Sequence, residues 1–302
     1  MTQKVEIHEF SPEMMTRLVA LFGTYFAPDD RLLSAEYNSW LYLDNPFGVA
    51  KAVTVSENGE WIGFMALVPL ELQRSTGILS AYFVVNVLVH PQHHGKNIFG
   101  RMIGAARDYA RDRDCALMGH PNDMALKSWQ RAGMNFLSPL RVSWPAPSPW
   151  ARAIKRRVVR SLDSSDPLWQ TLELQRKAAT GWQVRVSPDF LTWRFLQHPT
   201  NSYQLELLET DGVSIGIRIL KEMRHGIRIL VDSFVLSSYE RRGLRGLPWR
   251  TLAMRPRNNG AVDSRGFLFL PLKKQIPFFL TYDAAPIGFD EVADIGLTGS
   301  DF

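Results

Sequence analysis

The segment from His90 to Gly100 reads His-Pro-Gln-His-His-Gly-Lys-Asn-Ile-Phe-Gly, with an apolar run before it and a helical pattern after it. Pro91 has no N–H to offer a ladder, so it stops the strand. Gly95 permits a turn that most residues resist. The first N–H groups of a helix starting at Ile98 have no partner inside that helix, and they point outward with the positive end of its dipole. A loop of this kind holds an anion, and a pyrophosphate suits it best. Lys96, His93 and His94 add positive charge at the rim.

A second cluster follows downstream, Asn122-Asp123-Met124-Ala125-Leu126-Lys127-Ser128-Trp129-Gln130-Arg131-Ala132-Gly133-Met134. Together the two segments resemble the GNAT superfamily of acyl-CoA-dependent N-acyltransferases. The family's phosphate loop reads Gln or Arg, two residues, Gly, one residue, Gly or Ala. Gln92 and Gly95 match it. Asn97 stands at the small third position and tolerates left-handed backbone, so the loop survives. The second family motif reads Asn, two residues, Ala, three residues, Tyr, three residues, Gly-Phe. Asn122, Ala125 and Gly133 coincide, and Met134 stands for Phe. Trp129 stands for the Tyr that in many members protonates the leaving thiolate, and an indole N–H cannot do that.

The resemblance covers about residues 80–135. It implies acyl-CoA as co-substrate and no metal. The acyl-CoA would lie in a V-shaped gap between strand Val84–Val89 and strand Cys115–Gly119, its acyl carbonyl near Asn86 to Leu88. Its pantetheine amides would pair with the backbone of Val87, Leu88 and Val89. Its phosphates would meet Gln92, His93, His94, Gly95, Lys96, Asn97, Ile98, Phe99 and Gly100. Asn122 would bond the pantetheine arm, with Trp129 as a further cofactor-binding residue.

N-acyl transfer needs an uncharged amine about 3–3.5 Å from a thioester carbonyl. It also needs a donor for the charge developing on oxygen, expected at the strand N–H of Leu88. The strand from Ile78 to His90 has no carboxylate, where many family members place a Glu. A base comes from elsewhere or is dispensable. His90, His120 and Asp232 are the candidates, His120 because it precedes Pro121 and Asn122. His90 also suits a cap at a strand end, and Asp232 a structural pairing with an arginine. The expected catalytic set is Leu88, His120 and Asp232.

Positioning these residues requires a helix over Ile98–Arg113, whose apolar stripe has helical spacing. It also requires a strand over Cys115–Gly119 and a helix over Met124–Ala132 with Gly133 at its C-cap. Upstream strands at Ala52–Val55 and Trp61–Leu67 flank the turn at Asn58-Gly59. These patterns predict an α/β fold, with a mixed, mostly antiparallel sheet and helices on both faces.

The second half repeats the order. Trp193-Arg194-Phe195-Leu196-Gln197-His198-Pro199 parallels Trp40-Leu41-Tyr42-Leu43-Asp44-Asn45-Pro46. Strands at Leu205–Leu208 and Ser214–Leu220 flank Asp211-Gly212, and Leu230–Val235 parallels Val84–Val89. This favours an internal duplication into two GNAT-like domains. The expected division is residues 1–145 with the acyl-CoA site, a linker at 146–167, and a degenerate domain at 168–302. The linker opens on three prolines in Trp144–Trp150 and continues into a basic helix, Ala151–Leu162. The second half has Arg242-Gly243 but no full phosphate loop, and it would form one wall of the acceptor pocket.

The chain has 302 residues, a net charge of +5 and one cysteine, Cys115. A disulfide framework is excluded, and the single thiol argues against a Cys/His zinc site. Neither a signal segment nor an apolar run long enough to span a membrane is legible, so a cytoplasmic protein is expected. The mild basic excess suits an anionic small molecule better than nucleic acid. By resemblance to tandem members, the expected acceptor is a nucleotide-linked amino sugar of surface-polysaccharide biosynthesis. Arg241, Arg242, Arg245 and the aromatics Trp40, Tyr42, Trp193 and Phe195 would serve it, although such aromatics also suit a core. Two alternatives stay open, a non-catalytic CoA-binding or protein-interaction module and an acyltransferase for a peptide or protein amine. A homodimer is the candidate assembly.

Overall fold

The computed structural model describes residues 3–145, 155–177, 181–236, 251–255, 269–284 and 292–294. The strands are β1 (Lys4–Glu9), β2 (Lys51–Glu57), β3 (Glu60–Arg74), β4 (Gly77–Val89), β5 (Ala116–Gly119), β6 (Phe136–Pro145) and β7 (Lys155–Val159). They continue with β8 (Trp182–Val184), β9 (Tyr203–Thr210), β10 (Val213–Glu222), β11 (Arg228–Val235), β12 (Thr251–Arg255), β13 (Phe269–Thr281) and β14 (Val292–Asp294). The helices are α1 (Met15–Phe22), α2 (Ala35–Tyr42), α3 (Ile98–Arg111), α4 (Asp123–Arg131), α5 (Pro167–Lys177) and α6 (Pro188–Leu191). This is the mixed α/β fold that the patterns predict.

Both predicted hairpin turns form for the expected reason. Asn58 and Gly59 have φ of 54° and 85°, and Asp211 and Gly212 have φ of 50° and 78°. Two consecutive positive-φ residues match the right-handed twist of the flanking strands.

A single sheet runs in the order β1, β2, β3, β4, β5, β13, β6, β12, β11, β10, β9, β7, with β8 and β14 beside it. The sheet that carries the phosphate loop is therefore completed from the far end of the chain. β13 pairs antiparallel with β5 on one side and with β6 on the other. One face of the first half packs α1 and α2 against Phe64, Phe83 and Val85. The opposite face packs α3 and α4 against Met65, Leu67 and Val84. Gly63 lets α3 settle close, because a Cβ there would lie 2.9 Å from Ile98 Cγ2.

The two aromatic segments meet. Trp40 and Trp193, which align in the repeat, stack at 5.1 Å. Each indole N–H donates to the other's backbone carbonyl, both at 2.8 Å. Such reciprocity is what a local two-fold axis produces.

Two expectations need correction. Residues 155–159 do not continue a basic helix; they form β7, an edge strand on β9. Val158 and Val159 favour a strand, and the basic side chains stay in water along the edge. Pro145 does not lie in a connector but at the last position of β6, opposite Phe269, a strand end where its missing N–H costs little. Residues 146–154 lie outside the described residues, as do Arg241, Arg242 and Arg245.

Candidate active site

The loop between β4 and α3 is built from local rules. The imidazole Nδ1 of His90 accepts the Gln92 N–H at 3.3 Å and so caps the turn Pro91–His93. Gly95 and Asn97 then take φ of 79° and 55°, and α3 begins at Ile98. Asn97 sits at the N-cap of α3 but caps nothing. Its side chain lies over Gly100, where an added Cβ would come within 2.4 Å of Asn97 Oδ1. By contrast, Ser34, Asn122 and Ser187 each accept an N–H from their own helices. The N-terminal N–H groups of α3 are left for an outside acceptor, with the helix dipole behind them.

The basic rim is partly compensated. Lys96 Nζ lies 3.3 Å from His93 Nδ1, and His93 lies 3.7 Å from the Glu57 carboxylate. Gln3 Nε2 donates to the same carboxylate at 2.8 Å and is the main reason its pKa is lowered. His94 turns instead to the strand end, its Nε2 3.0 Å from the Val89 carbonyl. The Tyr25 hydroxyl donates to that carbonyl at 2.8 Å and also touches His94.

The ladder between β4 and β5 ends before the stretch Val84–Val89, where the gap is expected. β4 and β5 pair in parallel over Ala81–Phe83 and Ala116–Met118. Beyond those pairs the strands part. The β3–β4 register shifts at the same level: Phe64 faces Leu88 and Ala66 faces Val85, so Met65 alone opposes Asn86 and Val87. This is a β-bulge. Asn86 sits in it with φ of 51°, and its Nδ2 donates to Tyr42 Oη at 2.7 Å.

The bulge decides which backbone groups face the gap. His90 N–H donates to Ile62 O at 2.8 Å, so those two residues are a hydrogen-bonded pair. Such pairs alternate along an antiparallel ladder, which makes Leu88 and Phe64 the next one. The Leu88 N–H therefore points at β3. The expectation that it serves as the oxyanion donor is corrected. Val89 is the intervening residue, and its N–H and C=O face the gap.

The remaining expected residues divide. His120 is in place at the end of β5, with its Nδ1 3.0 Å from the Pro277 carbonyl of β13 and its ring beside Phe83 and Phe278. Asn122 Oδ1 accepts the Ala125 N–H at 2.8 Å, so this side chain caps α4. Trp129 is 2% exposed and stacks on Phe279 at 4.8 Å, with Phe99 edge-on at 5.5 Å. It is core beneath the loop, which corrects its expected contact with the cofactor. Asp232 lies on β11, five strands from β4 in the sheet order, or roughly 24 Å along the sheet. Its Oδ1 accepts the Ser233 N–H at 2.8 Å. Asp232 is thus not gathered with the others, and the corrected set drops it.

Trp40, Tyr42, Trp193 and Phe195 are all buried, so the core alternative holds for these aromatics. Tyr25 was missed in sequence, and no local signal marks it; Asn86 and Tyr42 were named there, but their contact was not. Among the described residues, no cluster of three or more His, Cys, Asp or Glu side chains could hold a metal. Nor is any helix there long and apolar enough to cross a membrane.

Residues 15–134 match the family model described as Acetyltransferase (GNAT) family. No curated protein matches the chain. A GCN5-related N-acetyltransferase from Anabaena variabilis superposes with a TM-score of 0.66 at 14% identity, covering 92% of this chain and 73% of its own. A conserved protein of Enterococcus faecalis, described as a probable N-acyltransferase, gives 0.66 at 11% identity over 93% and 72%. A tandem GNAT protein from the clavulanic acid biosynthesis pathway gives 0.56 at 12% identity over 94% and 99%. At these identities the likeness is one of fold.

Proposed function

We propose that residues 15–134, which match the GNAT acetyltransferase family model, carry the site of an acyl-CoA-dependent acyltransferase that moves an acyl group onto a small primary amine, the amino group of a nucleotide-linked amino sugar. One observation carries the co-substrate half of this reading. The open N-terminus of α3 and the gap-facing backbone of Val89 sit at the two ends of one loop. A molecule with a diphosphate at one end and amides along its arm fits both. Gly95, Lys96, Asn97, Ile98, Phe99 and Gly100 would hold the phosphates, and Val87 and Val89 the arm. Bound acyl-CoA supplies the thioester.

The tandem layout and the basic excess support an anionic amine, as does the run Arg241, Arg242 and Arg245, which lies outside the described residues. We place the acyl-CoA site in residues 1–145, with β13 lent to its sheet. We assign residues 168–302 to a second, degenerate unit beside the acceptor, and propose a cytoplasmic protein. The reciprocal Trp40–Trp193 pair supports the duplication. The assay is thiol release from acetyl-CoA with a panel of primary amines: a nucleotide-linked amino sugar, the free sugar and a lysine peptide. Fastest release with the nucleotide sugar is expected. Preference for the peptide would overturn the acceptor assignment. Binding of CoA without turnover on any amine would leave a non-catalytic module.

Val89 makes a further prediction. Its carbonyl already accepts from Tyr25 and lies beside His94, so a pantetheine N–H must displace them. A hydrogen bond is worth about 0.5–1.5 kcal/mol net. Tyr25→Phe should therefore tighten CoA binding roughly two- to tenfold. Weaker binding would show that the hydroxyl helps hold the ligand rather than competing with it.

A further inference from the structure

The bulge on β4 presents a polar side chain at the gap that the loop and backbone do not account for. Asn86 Nδ2 donates to Tyr42 Oη. Tyr42 ends α2 and is fully buried, against Phe10 at 4.6 Å and Phe64 at 6.0 Å. Burial raises its pKa, so the phenol stays protonated and serves as a fixed post. With Nδ2 held there, Asn86 Oδ1 has no hydrogen-bond partner among the described residues. A site needing only a positive φ is best served by glycine. Asparagine accepts some strain at φ of 51°, and what it adds is the carboxamide.

Its position gives that group a use. Asn86 and Val87 are the bulge residues beside the splayed strands, where the acyl carbon must lie if the acyltransferase reading above holds, and the inference rests on that reading. We propose that Asn86 Oδ1 accepts a hydrogen bond from the incoming amine, aiming the nitrogen lone pair at the acyl carbon, and that Tyr42 is the positioning residue that holds the carboxamide for it. The nitrogen then forms the C–N bond as the C–S bond breaks, and the proton it sheds goes to the departing thiolate or through water to it. A carboxamide takes no proton, so the amine must arrive uncharged. This selects acceptors of modest basicity, such as amino sugars, over alkyl ammonium groups such as lysine.

The test uses Asn86→Gly, which keeps the positive φ, together with Asn86→Asp and Tyr42→Phe. The readouts are acetyl-CoA binding by calorimetry and thiol release with the best amine of the panel. Asn86→Gly should lower kcat about 100-fold, the scale of a misplaced reactant, with acetyl-CoA Kd within about threefold of wild type. Asn86→Asp retains an acceptor oxygen in the same place and should recover at least about tenfold of that loss. Tyr42→Phe should cost kcat about tenfold at unchanged Kd. Full activity in Asn86→Gly, an Asp variant no better than the Gly variant, or loss of acetyl-CoA binding in Asn86→Gly would each overturn the proposal. Failure of the wild-type protein to bind acetyl-CoA would instead overturn the acyltransferase reading itself.

Discussion

Gly95→Asp is expected to lower CoA affinity by at least about 100-fold, or roughly 2.7 kcal/mol. Gly95 has φ of 79°, and nothing lies within 4 Å of the Cβ it lacks. Room for a side chain is therefore not the issue. The cost comes from a left-handed backbone, on the order of 1 kcal/mol for a residue with a Cβ, and from charge. A carboxylate about 4 Å from a phosphate oxygen meets about 4 kcal/mol of repulsion near a protein surface, which salt trims at an exposed loop. Gly95→Asn shares the strain without the charge and should lose only about tenfold. Calorimetry on the folded variants separates the two contributions. If Gly95→Asp binds CoA as the wild type does, the phosphates do not lie on this loop.

The second large effect is expected far from the loop in sequence. Phe279 lies in β13, is 1% exposed, and stacks on Trp129 at 4.8 Å with the Phe136 ring tilted against it at 5.9 Å. Its ring also fills the space above Gly119, where a Cβ would lie 3.0 Å from it. Phe279→Ala should destabilise the protein by about 3–5 kcal/mol through lost burial and a cavity. The cavity would sit under α4 and beside the end of β5, so CoA binding should weaken along with stability. Urea unfolding measures the first effect and calorimetry the second. A loss below about 1 kcal/mol would mean that β13 only brushes the first half and does not complete its sheet.

Much of the site was legible because its rules are local. Pro91 stopping a strand, Gly95 taking a positive φ, Gly133 closing α4 and the two hairpin turns depend on a few neighbouring residues. Side-chain roles read by motif position alone went astray where packing intervened. Trp129 fell into the core because α4 offers it to Phe279, and Asn122 turned to its own helix.

The sequence by itself determined the strands and helices on either side of the loop, the two hairpin turns and the loop itself, since each follows from short-range periodicity and backbone preference. Only the tertiary structure decided what lies between β5 and β6, which N–H groups face the gap, and that Asp232 stands apart. Strand order depends on pairings as distant in sequence as Phe279 with Gly119, which no local pattern encodes. Likewise, a bulge of one residue reverses which side every later side chain and N–H takes. That single extra residue at Asn86 turned the Leu88 N–H toward β3 and left the Val89 backbone, and the Asn86 carboxamide, at the gap.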